Sequence, residues 1–191
     1  MSTTTSSERP WLRAVSVIGA LVILLWVLEI FDHLTAHSLD RFGIVPRRLD
    51  SLGSIATAPF LHFGWAHLIA NTVPFFVLGV LVYVDGVRRW LATSLIVILT
   101  SGLTVWLLAS PGSITAGASG VIFGWLTYVL LRGFFTRHIG QILIAVVILA
   151  VYGGVLWGVL PMTTGVSWQA HLGGAAGGVL AAWLLNGRRQ M

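Results

Sequence analysis

Apolar residues dominate six stretches of the chain, about Trp11 to Ile30, Trp65 to Val84, Trp90 to Ala109, Ala118 to Leu131, Ile139 to Leu160 and Trp168 to Leu185. A helix needs roughly 20 apolar residues to cross the hydrocarbon of a bilayer. Five of the stretches approach that length, and the fourth falls short of it. The breaks between them carry the polar residues. Phe31 to Leu61 holds Asp32, His33, His37, Asp40, Arg41, Pro46, Arg47, Arg48 and Asp50, which makes it too polar to span and too long for a turn. Asp85-Gly86 with Arg88-Arg89 ends the second stretch, Ser110-Pro111-Gly112-Ser113 is a turn cluster after the third, and Pro161 with Thr163-Thr164-Gly165 closes the fifth. The pattern predicts an all-α membrane protein of six transmembrane helices with a short fourth helix.

Composition sharpens this picture. The chain has 191 residues, 57% of them hydrophobic and 9% charged, against roughly 25% charged in an average soluble domain. The mean hydropathy is +0.92, so lipid must be the solvent for much of the surface. The net charge is +5, yet the Arg residues stand in ones and twos between apolar runs, and no basic face for nucleic acid can form. Cysteine is absent, which removes disulfides and thiolate metal sites and leaves six His as the strong nitrogen ligands. The first stretch lacks a small-residue cleavage site followed by a soluble domain, so it is expected to be retained.

Six spans put both termini on one side. Arg9, Arg13, Arg88, Arg89, Arg132, Arg137, Arg188 and Arg189 fall on that side, against Arg41, Arg47 and Arg48 opposite. The positive-inside bias therefore predicts a cytoplasmic tail at 1–10, one membrane domain at 11–187 and a second cytoplasmic tail at 188–191. Trp11, Trp65, Trp90, Trp125 and Trp168 sit near the ends of the stretches, where an interfacial aromatic belt is expected.

Two polar groups stand where hydrocarbon makes them costly. Ser119 lies in Gly117-Ala118-Ser119-Gly120 and His171 in Ala170-His171-Leu172-Gly173-Gly174, each near the start of an apolar stretch and toward the same, non-cytoplasmic half. Intramembrane polar residues of this kind mark functional sites by default. A serine hydroxyl becomes a nucleophile when a histidine takes its proton, and at a helix N-terminus the backbone N–H groups favour developing negative charge. On the second stretch His67 and Asn71 are four apart and share a face, with His62 near its start. A His ring and an Asn amide so placed can donate to an oxyanion. No carboxylate is placed to orient His171, which points to a Ser-His dyad in which Phe123, one turn after Ser119, packs against the imidazole. Gly174 and Gly178 give the sixth helix a small face that another helix, the one carrying Ser119, can approach. Simple bundle packing explains any one of these features, and so does interhelical hydrogen bonding. A metal held by His62, His67 and His171 lacks an acidic partner and is not expected.

Together, His62-x4-His67-x3-Asn71, Gly117-x-Ser119-Gly120 and Ala170-His171-x-x-Gly174-x-x-x-Gly178 resemble the rhomboid family of intramembrane serine proteases. The resemblance covers nearly the whole chain and is closest to the minimal six-helix bacterial form. It implies a rhomboid-like bundle in a bacterial plasma membrane, with Ser119 as nucleophile and His171 as base. It also implies His67 and Asn71 at the oxyanion with the Ser119 N–H, a structural role for His62, and motif roles for Gly117, Gly120 and Gly174. Its substrates would be transmembrane helices of other proteins, cleaved without metal, cofactor or nucleotide. The chain departs from many relatives at Ile44-Val45-Pro46-Arg47-Arg48, where they carry a Trp-Arg pair, and at Phe123, where they often carry Tyr. Two rival readings are a non-catalytic rhomboid-like module that binds or escorts membrane clients, and a small transporter. Relatives of the first kind usually lack the serine or the histidine, and no inverted repeat supports the second. A base of ordinary histidine pKa, about 6.5, would lose activity as pH falls through that value.

Overall fold

The computed structural model describes residues 10–161 and 165–186, and among them the chain is helical apart from one isolated antiparallel bridge between Ile44 and Thr115. Helix α1 spans Pro10–Leu34, and a loop follows it that contains the four-residue helix α2, Ser54–Thr57. The remaining helices are α3 (Trp65–Tyr83), α4 (Val87–Leu108), α5 (Ser119–Thr136), α6 (Ile139–Tyr152, continued by a 3-10 segment at Gly153–Val159) and α7 (Trp168–Asn186). Among the described residues five helices are long and apolar enough to cross a membrane: α1, α3, α4, α5, and α6 with its extension. The expected tails at 1–10 and 188–191, apart from Pro10, and the Thr163-Thr164 loop lie outside the described residues.

Helix α5 is the centre of the bundle. About 61% of its apolar stretch is buried, against 6% for the α6 segment, and it packs on α3, α4, α6 and α7. It runs on past the expected end near Leu131 to Thr136 because Arg132 does not sit outside the bundle. Arg132 is 2% exposed, its guanidinium donates to the Leu81 carbonyl at 2.8 Å, and it pairs with the Asp85 carboxylate at the end of α3. The Tyr128 hydroxyl donates to the same carboxylate at 3.3 Å. Hydropathy reading treats an Arg as a boundary, but a paired Arg is a buried group. Trp125 corrects the aromatic belt in the same way. It is 1% exposed, donates its indole N–H to Ser94 Oγ at 3.1 Å and meets the Phe75 ring at 4.8 Å.

Helix α7 is wedged between α4 and α5, and its glycines explain how. A side chain at Gly173 would strike Thr104, and one at Gly177 would strike Thr100, both on α4. Gly174 and Gly178 face the other way, where a Cβ would run into the carbonyls of Gly120 and Gly124 on α5. Two glycine pairs thus let one helix touch two neighbours backbone to backbone. In lipid this matters more than apolar character, because hydrocarbon solvates Leu as well as protein does and close van der Waals contact must hold helices together. Ser101 Oγ and Thr127 Oγ1 each donate to an α7 carbonyl, Ala170 and Ala175, at 2.9 Å. The glycines and polar ends also explain why α7 falls short of the hydropathy that marks those five as spans.

Asp85→Ala leaves the Arg132 guanidinium buried without its counter-charge and is expected to cost about 3–5 kcal/mol, read as a lower unfolding midpoint in detergent. Gly174→Ala gains up to about 1 kcal/mol of helix propensity. Its methyl, however, meets backbone that cannot rotate away, and overpacking typically costs about 1–3 kcal/mol. Net destabilisation is therefore expected, and a midpoint equal to or above wild type would contradict this packing.

Candidate active site

The wedge places α7 so that its first turn faces the first turn of α5. Ser119 is the first residue of α5, and His171 lies in the opening turn of α7. His171 Nε2 and Ser119 Oγ are 2.9 Å apart. The other ring nitrogen, Nδ1, lies 2.8 Å from the Gly158 carbonyl. A carbonyl can only accept, so Nδ1 carries the proton and the neutral ring presents an unprotonated Nε2 to the hydroxyl. The Phe123 ring stacks on the imidazole, with centroids 4.0 Å apart and planes 8° from parallel. His171 is 6% exposed and Phe123 2%. Two fixed contacts, a carbonyl and an aromatic face, therefore hold the ring in one tautomer and one orientation without a carboxylate.

The backbone approaching Ser119 is equally constrained. Gly117 has φ +130°, a conformation that side chains rarely adopt, and a Cβ there would lie 2.8 Å from His67 Nε2. Its N–H donates to the Ala58 carbonyl at 2.8 Å. The next amide, Ala118 N–H, donates to His62 Nε2 at 3.4 Å. Burial, reinforced by the neighbouring His67, pushes the His62 imidazole down to about 3, so it stays neutral and able to accept. His62 and His67 meet edge to face with centroids 5.1 Å apart. Gly120 fits against Ser101 and the Ala170 carbonyl, where a Cβ would collide.

These groups line one cavity of about 650 Å³, which includes His67, Asn71, Gly117, Ser119, Phe123 and His171. Asn71 is 6% exposed, and its Nδ2 amide is buried with no hydrogen-bond partner among the described residues. Buried amides are seldom left unspent. A donor held in reserve beside a hydroxyl and an imidazole is what a developing oxyanion requires. Every site residue expected from the sequence therefore borders this cavity or supports its wall.

Two contributors were not legible in the sequence. The Gly158 carbonyl comes from the 3-10 segment after α6, thirteen residues before the ring it orients, and a backbone oxygen leaves no signature in residue identity. Arg47 is the second. Its guanidinium donates to the Leu107 and Ala109 carbonyls at 2.9 and 2.8 Å, satisfying acceptors that the last turn of α4 leaves open. Trp106 Nε1 returns a bond to the Arg48 carbonyl at 2.9 Å. The Ile44–Thr115 bridge joins the same loop to the segment that leads into Ser119. Arg47 thus anchors this loop to the end of α4.

Known proteins resemble this chain over most of its length. A family model described as Rhomboid domain matches residues 50–188. An uncharacterized protein of Mycobacterium tuberculosis (strain ATCC 25618 / H37Rv) is 42% identical over 193 residues, covering 96% of this chain and 80% of that protein. Rhomboid protease GluP of Bacillus subtilis (strain 168) is 31% identical over 175 residues, covering 86% of this chain and 33% of that protein. Rhomboid-like protein 11, chloroplastic, of Arabidopsis thaliana is 31% identical over 147 residues, covering 68% of this chain and 51% of that protein. With a family match across most of its length and several helices able to span a bilayer, this chain belongs to the rhomboid family and is an integral multi-pass membrane protein.

Proposed function

We propose that the protein is an intramembrane serine endopeptidase that cleaves transmembrane segments of other membrane proteins through a Ser119–His171 dyad. The observation that carries this reading is the 2.9 Å contact between Ser119 Oγ and an Nε2 whose tautomer is set by Gly158. Its likeness to Rhomboid protease GluP supports the same chemistry. In the reaction, His171 Nε2 takes the hydroxyl proton as Oγ attacks a peptide carbonyl. The oxyanion is met by the Ser119 N–H at the start of α5, the Asn71 amide and the His67 ring. His171 then protonates the leaving amine, and water drawn into the cavity hydrolyses the acyl-enzyme with the same base. A helical substrate shields its own carbonyls, so cleavage is expected where small or helix-breaking residues let it unwind.

The same proposal includes the architecture around the dyad. All six long helices, α7 included, cross the bilayer as one domain over 11–187, with both termini in the cytoplasm of a bacterial cell. Helix α5 begins below the outer surface, which puts the dyad within the membrane yet open to water. Its 18 residues, against 25 in α1 and 22 in α4, favour such a recessed start. The reaction needs neither metal nor cofactor, and its partners are substrate helices and the lipid around them.

Purified protein incubated with a single-span substrate tests this. Ser119→Ala and His171→Ala are each expected to lower cleavage by roughly 10⁶-fold, to below detection, while leaving the fold intact. Undiminished cleavage would overturn the proposal and favour the escort reading. Asn71→Ala removes one oxyanion donor and is expected to lower kcat by about 10²–10³ with a smaller change in KM. Because the base must be neutral, cleavage is expected to fall on acidification with a single titration. A rate that stays level down to the lowest pH at which the protein remains folded would exclude His171 as base.

A further inference from the structure

A second polar cluster lies away from the dyad, where α1 gives way to the loop after it. Asp32, His37 and Asp40 each offer one ligand atom, and these atoms lie within 4.8 Å of one another. Asp32 Oδ2 and His37 Nδ1 are 3.1 Å apart, while Asp32 Oδ1 accepts the Leu39 N–H at 2.6 Å, which fixes the carboxylate. Glu29, one turn before Asp32, lines the same pocket with Asp32, Asp40 and His62. It is 2% exposed, and neither of its oxygens has a hydrogen-bond partner in the described residues. Asp40 Oδ1 is likewise buried and unpartnered.

Three carboxyl groups are thus gathered in a largely apolar setting, with His37 beside them and His62 on the pocket wall. The nearby guanidinium groups are committed elsewhere, Arg47 to α4 carbonyls, Arg48 to Asp50, and Arg41 over the Phe42 ring. Like charges at this density are costly unless a cation or a proton joins them. Two ligands about 2.0 Å from a tetrahedral ion stand roughly 3.3 Å apart, close to the spacing of Asp32 Oδ2 and His37 Nδ1.

We propose that Asp32, His37 and Asp40, with Glu29 beneath them, form a structural Zn²⁺ site that staples the end of α1 to its following loop. Mixed imidazole and carboxylate donors suit Zn²⁺ better than Ca²⁺ or Mg²⁺, which take oxygen ligands. His37, whose side chain is half exposed while that of Asp32 is 4% exposed, gives the ion its route in from solvent. The ion takes no part in peptide cleavage. Its effect passes through the pocket wall it shares with His62, which supports the backbone before Ser119.

Calorimetric titration of the full chain with ZnCl₂, after chelator treatment and purification in detergent without a polyhistidine tag, tests this independently of proteolysis. Wild type is expected to bind one equivalent and to unfold at a higher temperature when loaded. His37→Ala, at the most exposed ligand, and the isosteric Asp40→Asn are each expected to weaken binding by at least about tenfold while the metal-free midpoint changes little. His67→Ala is expected to bind as wild type does, which separates this cluster from the histidines near the dyad. Absence of stoichiometric uptake, which would leave a shared proton to neutralise the carboxyl groups, overturns the proposal. So does unchanged binding in both ligand variants, or a preference for Ca²⁺ over Zn²⁺.

Discussion

The approach of α7 to α5 governs the site. Where Gly174 and Gly178 press against the carbonyls of Gly120 and Gly124, the helix backbones come closer than any side chain permits. His171 and Ser119 lie on the same two helices within one turn of Gly174 and Gly120, so their 2.9 Å contact is set by backbone packing. The surrounding lipid gives no hydrophobic reason for two helices to associate. The contact must therefore come from shape, and it is reinforced by the Ser101 and Thr127 hydroxyls donating into α7. One helix carries two glycine pairs because it must meet α4 and α5 at once.

The buried polar groups divide into those that are satisfied and those held in reserve. Arg132 and Asp85 neutralise one another at one end of α5. His171 has both nitrogens engaged, and His62 accepts through one. Asn71 Nδ2 stands apart as an unspent donor at the site, and in a low-dielectric setting such a donor is worth most when charge appears opposite it. The carboxyl groups of Glu29 and Asp40 are unspent in the opposite sense, as acceptors. Under the two proposals, the unpaired donor at the site meets a transient oxyanion and the unpaired acceptors beside α1 meet a cation.

Much of this was legible in the sequence. The helices lie where the apolar runs placed them, and Ser119, His171, His67, Asn71 and Phe123 gather around one cavity, because intramembrane polar residues have few other places to go. What sequence reading missed shares one cause. Arg132 and Trp125 looked like boundary residues, since a single chain gives no view of the Asp85 or Ser94 that satisfies them across the bundle. The Gly158 carbonyl was invisible because backbone oxygens are the same at every position. The acidic residues near Glu29 read as a polar loop until the fold turned the loop back on α1. Residue type reveals what a group needs, and only the fold reveals what supplies it.

The most direct test of the central claim is the reaction of the protein with a fluorophosphonate, read by mass spectrometry of the intact chain and its peptides. An oriented imidazole against the Ser119 hydroxyl predicts a single adduct, located on Ser119, and no adduct in His171→Ala under the same conditions. Equal labelling of the two proteins, or an adduct on another serine, would contradict it.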